Sequence, residues 1–192
     1  MEFKLEDYQR ALARNYVVYG DGITDVSYVA ETIAQEYGIQ FQVPTPTRDR
    51  EKVVAAIIQA NETLQREPLQ EGLISLLQRK YTVLLQADTL FAFGHITRDC
   101  KTLRGGTGWC VQMAMDMGKT IYAYDIENST WFQVRNKRFY LKPDAPTLAL
   151  RSVILGSKQT GCITNKEIQH LFHRTFSTHL QDLTRRLDEF DL

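Results

Sequence analysis

Between the runs TLFAFG (Thr89 to Gly94) and TIYAYD (Thr120 to Asp125) lies LRGGTGWCVQMAMDMGK, residues 103 to 119, in which three glycines fall within four positions directly ahead of an amphipathic stretch closing on Gly118. Two aromatic and β-branched runs separated by a glycine turn and a helix-length segment read as a strand-helix-strand unit. Two parallel strands can be joined only by such a crossover, so the segment limits the chain to folds built on a parallel sheet.

The rest of the chain repeats the pattern. YVVY (Tyr16 to Tyr19), stopped by Gly20-Asp21-Gly22, predicts a buried strand running into a tight turn. Next, Val26, Val29, Ala30, Ile33, Ala34 and Tyr37 recur at helical steps, with Thr24 placed to cap the start and Gly38 to close the end. IQFQV follows as a second strand. Residues 49–65 and 69–86 carry apolar residues at helical spacing, with Pro68 between them. Later, STWFQV and KRFYLK around RNK predict an antiparallel hairpin, and SVILGS (Ser152 to Ser157) one more strand. From Asn165 on, Ile168, Leu171, Phe172, Phe176, Leu180, Leu183, Leu187 and Phe190 trace a stripe that suits packing on the sheet or a dimer seam. The expectation is an α/β three-layer fold, a mostly parallel sheet with helices on both faces, plus a small β-hairpin and a long C-terminal helix. The 192 residues suit one domain, with an N-terminal helix at 1–15, a core at 16–157 and a helical extension at 164–192.

Composition narrows the function. The chain is 43% hydrophobic and 24% charged, and no apolar run approaches the roughly 20 residues of a membrane helix. The charged start MEFKLEDYQRALARNY lacks a secretory signal's apolar stretch, so a cytoplasmic location is expected. Cys100, Cys110 and Cys162 are odd in number and widely spaced, which fits reduced thiols. With 23 basic and 23 acidic residues, nothing global draws the protein to nucleic acid, although a local basic patch is compatible with that balance.

In an open parallel sheet, ligands bind beyond the carboxyl ends of the strands, where Gly105, Gly106, Thr107 and Gly108 are expected to lie. Glycines there let an anion approach the backbone, and free N–H groups at a helix start favour phosphate. They suit equally a turn that only lets strand and helix pack closely. A second turn, Gly20-Asp21-Gly22 with Asp25 behind it, and the strand end Gly94-His95 with Arg104, belong to the same edge. That edge collects a guanidinium for phosphate, acidic groups for ribose hydroxyls, and Trp109 to stack on a base. A nucleotide or nucleotide-derived sugar phosphate matches the inventory. GGTG lacks the Lys-Ser/Thr pair of a Walker loop, and GDGITD only loosely follows GxGxxG, with Asp25 at its third glycine position.

ADTLFAFGHI, GGTGWCVQMAMDMGKTIYAYD, WF and the later ILGS and HRTF resemble, in order and spacing, Rossmann-like proteins common in bacteriophage genomes. The similarity runs from about Tyr16 to Phe176. That group is related to the SLOG superfamily, which includes the LOG-type phosphoribohydrolases and the DNA-processing protein A. The resemblance implies a nucleotide-derived ligand at the glycine loops. On the phosphoribohydrolase pattern PGGxGTxxE, Arg104 replaces the proline, Trp109 the threonine and Gln112 the catalytic glutamate, while Gly105, Gly106 and Gly108 match. An amide orients a group by hydrogen bonds but cannot accept a proton or steady an oxocarbenium charge, so the resemblance implies loss of that hydrolysis. At the first turn, phage relatives carry SGGAxGAD where this chain reads YGDGITDVS, keeping Gly20, Gly22 and Asp25 and placing Asp21 at a glycine position. A carboxylate there repels phosphate unless it meets a ribose hydroxyl, a cation or an amine.

Among other candidates, His95 is placed to bind phosphate or to transfer a proton, and Asp125, ending a strand, to reach the ligand. His170 and His173 lack a third metal ligand, Asp116 suits a helix end, and Cys110 suits inert packing more than a thiolate nucleophile. The favoured expectation is a non-catalytic binder of a nucleotide-derived small molecule, with no cofactor, metal or membrane, working as a homo-oligomer. Its specific form is capture of a cyclic nucleotide or ADP-ribose-type defence signal, in the host cytoplasm if phage-encoded. The alternatives are an N-glycosidase of the phosphoribohydrolase or deoxyribosyltransferase kind, and a single-stranded DNA binder like the DNA-processing protein A, against which the zero net charge argues.

Overall fold

Strand β3 (Thr89–Gly94) is buried along its whole length, and the other elements are arranged around it. The computed structural model describes residues 5–156 and 162–190. Strands β1 (Val17–Tyr19), β2 (Gln40–Gln42), β4 (Thr120–Asp125), β5 (Thr130–Arg135), β6 (Arg138–Lys142) and β7 (Arg151–Gly156) join β3 in one sheet of order β2-β1-β7-β3-β4-β5-β6. From β2 to β4 the neighbours are parallel, and β5 and β6 continue the sheet antiparallel. The helices are α1 (Leu5–Ala13), α2 (Asp25–Glu36), α3 (Arg50–Leu64), α4 (Glu71–Gln86), α5 (Gly105–Asp116) and α6 (Cys162–Phe190). This is the α/β three-layer arrangement that the alternating pattern predicts, Rossmann-like as the resemblance implies.

The two-residue period of β3 divides the core. Leu90 and Ala92 face the layer of α3, α4 and α5, whereas Phe91 and Phe93 face that of α1, α2 and α6. Each of these fully buried phenylalanines contributes about 2–3 kcal/mol of apolar burial. Within α6, Ile168, Leu171, Phe172 and Phe176 are buried in that second layer, so this part of its stripe is consumed by packing. The side chains of Leu180, Leu183, Leu187 and Phe190 lie outside the described residues.

Local signals place the ends of elements. The Ser27 amide donates to Thr24 Oγ1 (3.4 Å) at the start of α2, and Gly38 takes φ +71° just after its last turn. Asp49 Oδ1 accepts from the Lys52 amide (3.2 Å) at the start of α3.

Two features lie beyond the local pattern. Strand β7 returns from the C-terminal part of the chain to sit between β1 and β3, where the order of strands reverses and a ligand crevice would ordinarily open. Its last residue is tightly packed, for a Cβ on Gly156 would lie 2.4 Å from Val26 Cγ2. Helix α3, moreover, runs antiparallel to α5. Its first turns share a groove with Met113, Asp116 and Met117 at the end of α5, while Asn61 near its own end reaches Trp109 in the first turn of α5. The α3–α4 connection, residues 65–70, is thereby carried over the glycine loop.

Asn136 (φ 49°) and Lys137 (φ 59°) turn the β5–β6 hairpin with both residues left-handed, as a type I′ turn requires. Lysine is strained there and glycine is not, so Lys137→Gly is expected to stabilise the fold by about 0.5–1 kcal/mol in urea denaturation. A loss of stability would contradict this turn geometry.

Candidate functional site

The first glycine turn is a closed structure. A Cβ on Gly20 would fall 2.2 Å from Ser27 Oγ and 2.5 Å from Phe41 Cζ, and one on Gly22 (φ +66°) 3.0 Å from Val43. Here the glycines admit protein atoms. Asp21 is 0% exposed, and its Oδ1 accepts from the Ile23 and Thr24 amides (both 3.1 Å) and the Thr24 hydroxyl (2.9 Å). The Gly22 amide donates to Ser27 Oγ (2.9 Å). The protein's own carboxylate and hydroxyls therefore take the N–H groups ahead of α2 that a phosphate would otherwise use.

The amine that Asp21 requires is Lys80 of α4, whose Nζ lies 3.5 Å from Asp21 Oδ2 with only 3% of the residue exposed. Oδ2 has no hydrogen-bond partner among the described residues, so the contact is an ion pair at its outer range. Taking either charge alone out of water is strongly unfavourable, and each one makes the other tolerable. Cys110 lies in the field of both charges. Burial pushes its thiol up, Lys80 opposes that, and its Sγ approaches Gly106 O (3.4 Å), as expected of an inert packing cysteine.

The second turn is built differently. Arg104, at the N-cap position of α5, is exposed, and no side chain among the described residues caps this helix. Gly105 takes φ +63°, which favours glycine, and the Cβ positions of both Gly105 and Gly106 are empty. Gly108 has another purpose, because a Cβ there would lie 2.1 Å from Leu103 O and 2.4 Å from Arg66 Nη2. It clears the path by which Arg66 donates to Leu103 O (2.9 Å) and Gly105 O (2.7 Å). The loop ahead of the helix is closed by Arg104 N donating to His95 O (2.8 Å) and Thr97 N to Thr102 O (2.9 Å).

Arg66 and Asn61 are the residues that sequence patterns miss. The Arg66 guanidinium stands 4.1 Å from the centroid of the Trp109 ring, and Trp109 Nε1 donates to Asn61 Oδ1 (3.0 Å). Burial pulls the pKa of Arg66 below its ordinary value. Trp109 is thus already stacked by an internal cation. Arg66 and Trp109 line an open groove of about 660 Å³ whose walls include Gln65, Glu67, Leu73, Thr97, Arg104 and Gly105.

The remaining expected residues are distributed around this groove or away from it. Thr107 is buried in the first turn of α5, its hydroxyl without a partner among the described residues. Gln112 is buried and donates to Asp116 Oδ1 (2.9 Å), one turn further from the glycines. Asp125 is also buried, accepting from the Ile96 and Glu127 amides and from Asn128 Nδ2 (2.6 Å), and so fastens the ends of β3 and β4 together. Asp25 is exposed in the first turn of α2, His95 is half-buried, and Gly94 packs near Leu103. On α6, His170 pairs with Glu167 (3.5 Å) and His173 meets Ser177 (3.4 Å), and no group of three metal-ligating side chains occurs among the described residues. No described helix is long and apolar enough to cross a membrane.

No protein-family model, no curated protein and no solved structure matches this chain.

Removing one member of the Asp21–Lys80 pair strands the other charge. Lys80→Met is expected to destabilise the protein by about 3–5 kcal/mol in chemical denaturation, and Asp21→Asn added to it to recover most of the loss. A Lys80→Met protein within about 1 kcal/mol of the parent would contradict the role assigned to the pair.

Proposed function

We propose that this chain binds an anionic, nucleotide-derived small molecule in the groove at the start of α5 and holds it without converting it. The carrying observation is the difference between the two glycine turns: the start of α2 is closed on Asp21, whereas α5 opens uncapped, with Arg104 exposed, beside a groove of about 660 Å³. That volume is in the ordinary range for a small-molecule site. Unsatisfied N–H groups and the helix dipole favour a phosphate there, and Arg104 supplies a charge-assisted partner. The stacked Arg66 and Trp109 add a flat surface for a base.

The carboxylates favour holding a ligand over converting it. Asp21, Asp125 and Asp116 are each engaged in internal contacts, and Gln112 stands where the resembled hydrolases carry their glutamate. Glu67 is the one carboxylate among the described residues that line the groove. The resemblance to phage-borne SLOG-superfamily proteins gives the proposal its specific form, capture of a cyclic nucleotide or ADP-ribose-type signal of antiviral defence.

Mass spectrometry of freshly purified, denatured protein is expected to release an intact phosphate-containing molecule. Arg104→Glu should carry less of it and bind it at least about tenfold more weakly in calorimetry, about 1.4 kcal/mol. Appearance of a free base on incubation, lost in Glu67→Gln, would replace binding with N-glycosidase chemistry. Undiminished binding by Arg104→Glu would move the site elsewhere.

A further inference from the structure

The balanced overall charge conceals a one-sided strip at the edge of the sheet opposite β2. Across Gln133-Val-Arg-Asn-Lys-Arg-Phe-Tyr-Leu-Lys142 there are four cations, Arg135, Lys137, Arg138 and Lys142, and no acid. Pairing of β4, β5 and β6 determines which of them share a face. Tyr122, Gln133 and Tyr140 form one row across three strands, Arg135 pairs with Arg138 in the next row toward the turn, and Trp131 pairs with Lys142 in the row beyond. On a pleated sheet, residues of one row and those two positions along point to the same side. One face therefore presents two tyrosines, Arg135, Arg138 and Lys142, with Lys137 at its end.

This face is accessible. Among the described residues α6 reaches this face at Trp131, whose Nε1 donates to Glu167 Oε1 (2.6 Å), and β5 and β6 are otherwise held chiefly by strand neighbours. Tyr140 is 45% exposed, Arg135, Lys137 and Arg138 are exposed, and Tyr122 is half-buried with its inner side stacked on Phe91 (centroids 5.5 Å apart). Lys142 Nζ stands 6.0 Å from the Tyr122 centroid. The two tyrosines are two strand spacings apart, about 10 Å.

We propose that this sheet face binds single-stranded nucleic acid. Basic side chains that track a backbone, with aromatic rings on which successive bases stack, are what sequence-tolerant recognition of single strands requires. Edge cations also deter strand addition, as does Pro143 after β6, and that effect directs a partner to the face and away from the backbone edge. A second copy of this chain is disfavoured, because like charges would meet. The strip lies at the amino end of β4, since Ile121 pairs with Val134 beside the turn, whereas the α5 groove lies at the carboxyl end. The two sites are therefore separate, and neither proposal depends on the other.

Fluorescence anisotropy with a labelled oligo-dT and a mixed-sequence RNA tests this on the full chain. Binding should weaken with salt at a log-log slope of about −2 to −3, for three or four phosphates. Arg135→Glu/Arg138→Glu should flatten the slope by about 1.4, and Tyr140→Ala should weaken binding about tenfold. Arg50→Glu/Lys52→Glu, an equal charge change on exposed positions of α3, should leave binding unaltered. No salt-dependent binding at low ionic strength would overturn the proposal. Equal competition by poly-glutamate would do so too, by identifying a surface for acidic polypeptide, and so would equal loss in both charge-reversal variants.

Discussion

Asp21 is a carboxylate removed from water at the end of β1, and its presence there depends on Lys80 reaching it from α4. Much of the carboxyl edge follows from that contact. The charge of Asp21 satisfies the amides of Ile23 and Thr24 and shapes the lead into α2, while Lys80 fixes α4 against β1 and beside Cys110 of α5. One of the two glycine turns is thereby spent on the protein's own architecture. Strand β7 occupies the slot where strand order reverses, and its last residue, Gly156, is packed against Val26. An anion is left with the start of α5, shifted toward the α3–α4 connection.

That connection makes the site more than a helix end. Arg66 holds two carbonyls of the glycine loop and lies over Trp109, whose indole N–H is held by Asn61. Three elements, α3, α5 and the loop after β3, thus share one polar junction, and the backbone around Gly105 is fixed before any ligand arrives. Preorganisation of this kind reduces the ordering that binding must impose. A loop already closed by its own hydrogen bonds has less conformational freedom to lose.

The sheet and its helices were legible because they rest on local signals. TLFAFG and TIYAYD form strands with the bounds their composition marks, and Thr24, Asp49 and Gly38 cap or close their helices. The site was legible only in outline. Glycine is used both where a ligand comes close and where protein packs tightly, and nothing in the string distinguishes Gly105 and Gly106, open to solvent, from Gly20 and Gly108, pressed against side chains and backbone. The deciding atoms belong to Phe41, Ser27 and Arg66, and Phe41 and Arg66 lie far away in sequence. Arg66 was hidden because helical periodicity carries no direction: the pattern of residues 49–65 is the same whether α3 ends beside the glycine loop or at the opposite edge. Asp21 was visible as an anomaly and its resolution by an amine was among the possibilities, but a lysine on the apolar-periodic α4 reads as a surface residue until burial shows otherwise.

The most direct test of the central claim, that the start of α5 is open to an anion and the start of α2 is closed, is an amide-resolved NMR titration with pyrophosphate. The account predicts saturable shifts at the amides of Gly105, Gly106 and Thr107, with those of Gly22, Ile23 and Thr24 unmoved because Asp21 and Ser27 already occupy them. Shifts at Gly22 to Thr24 with the α5 amides unchanged would contradict it.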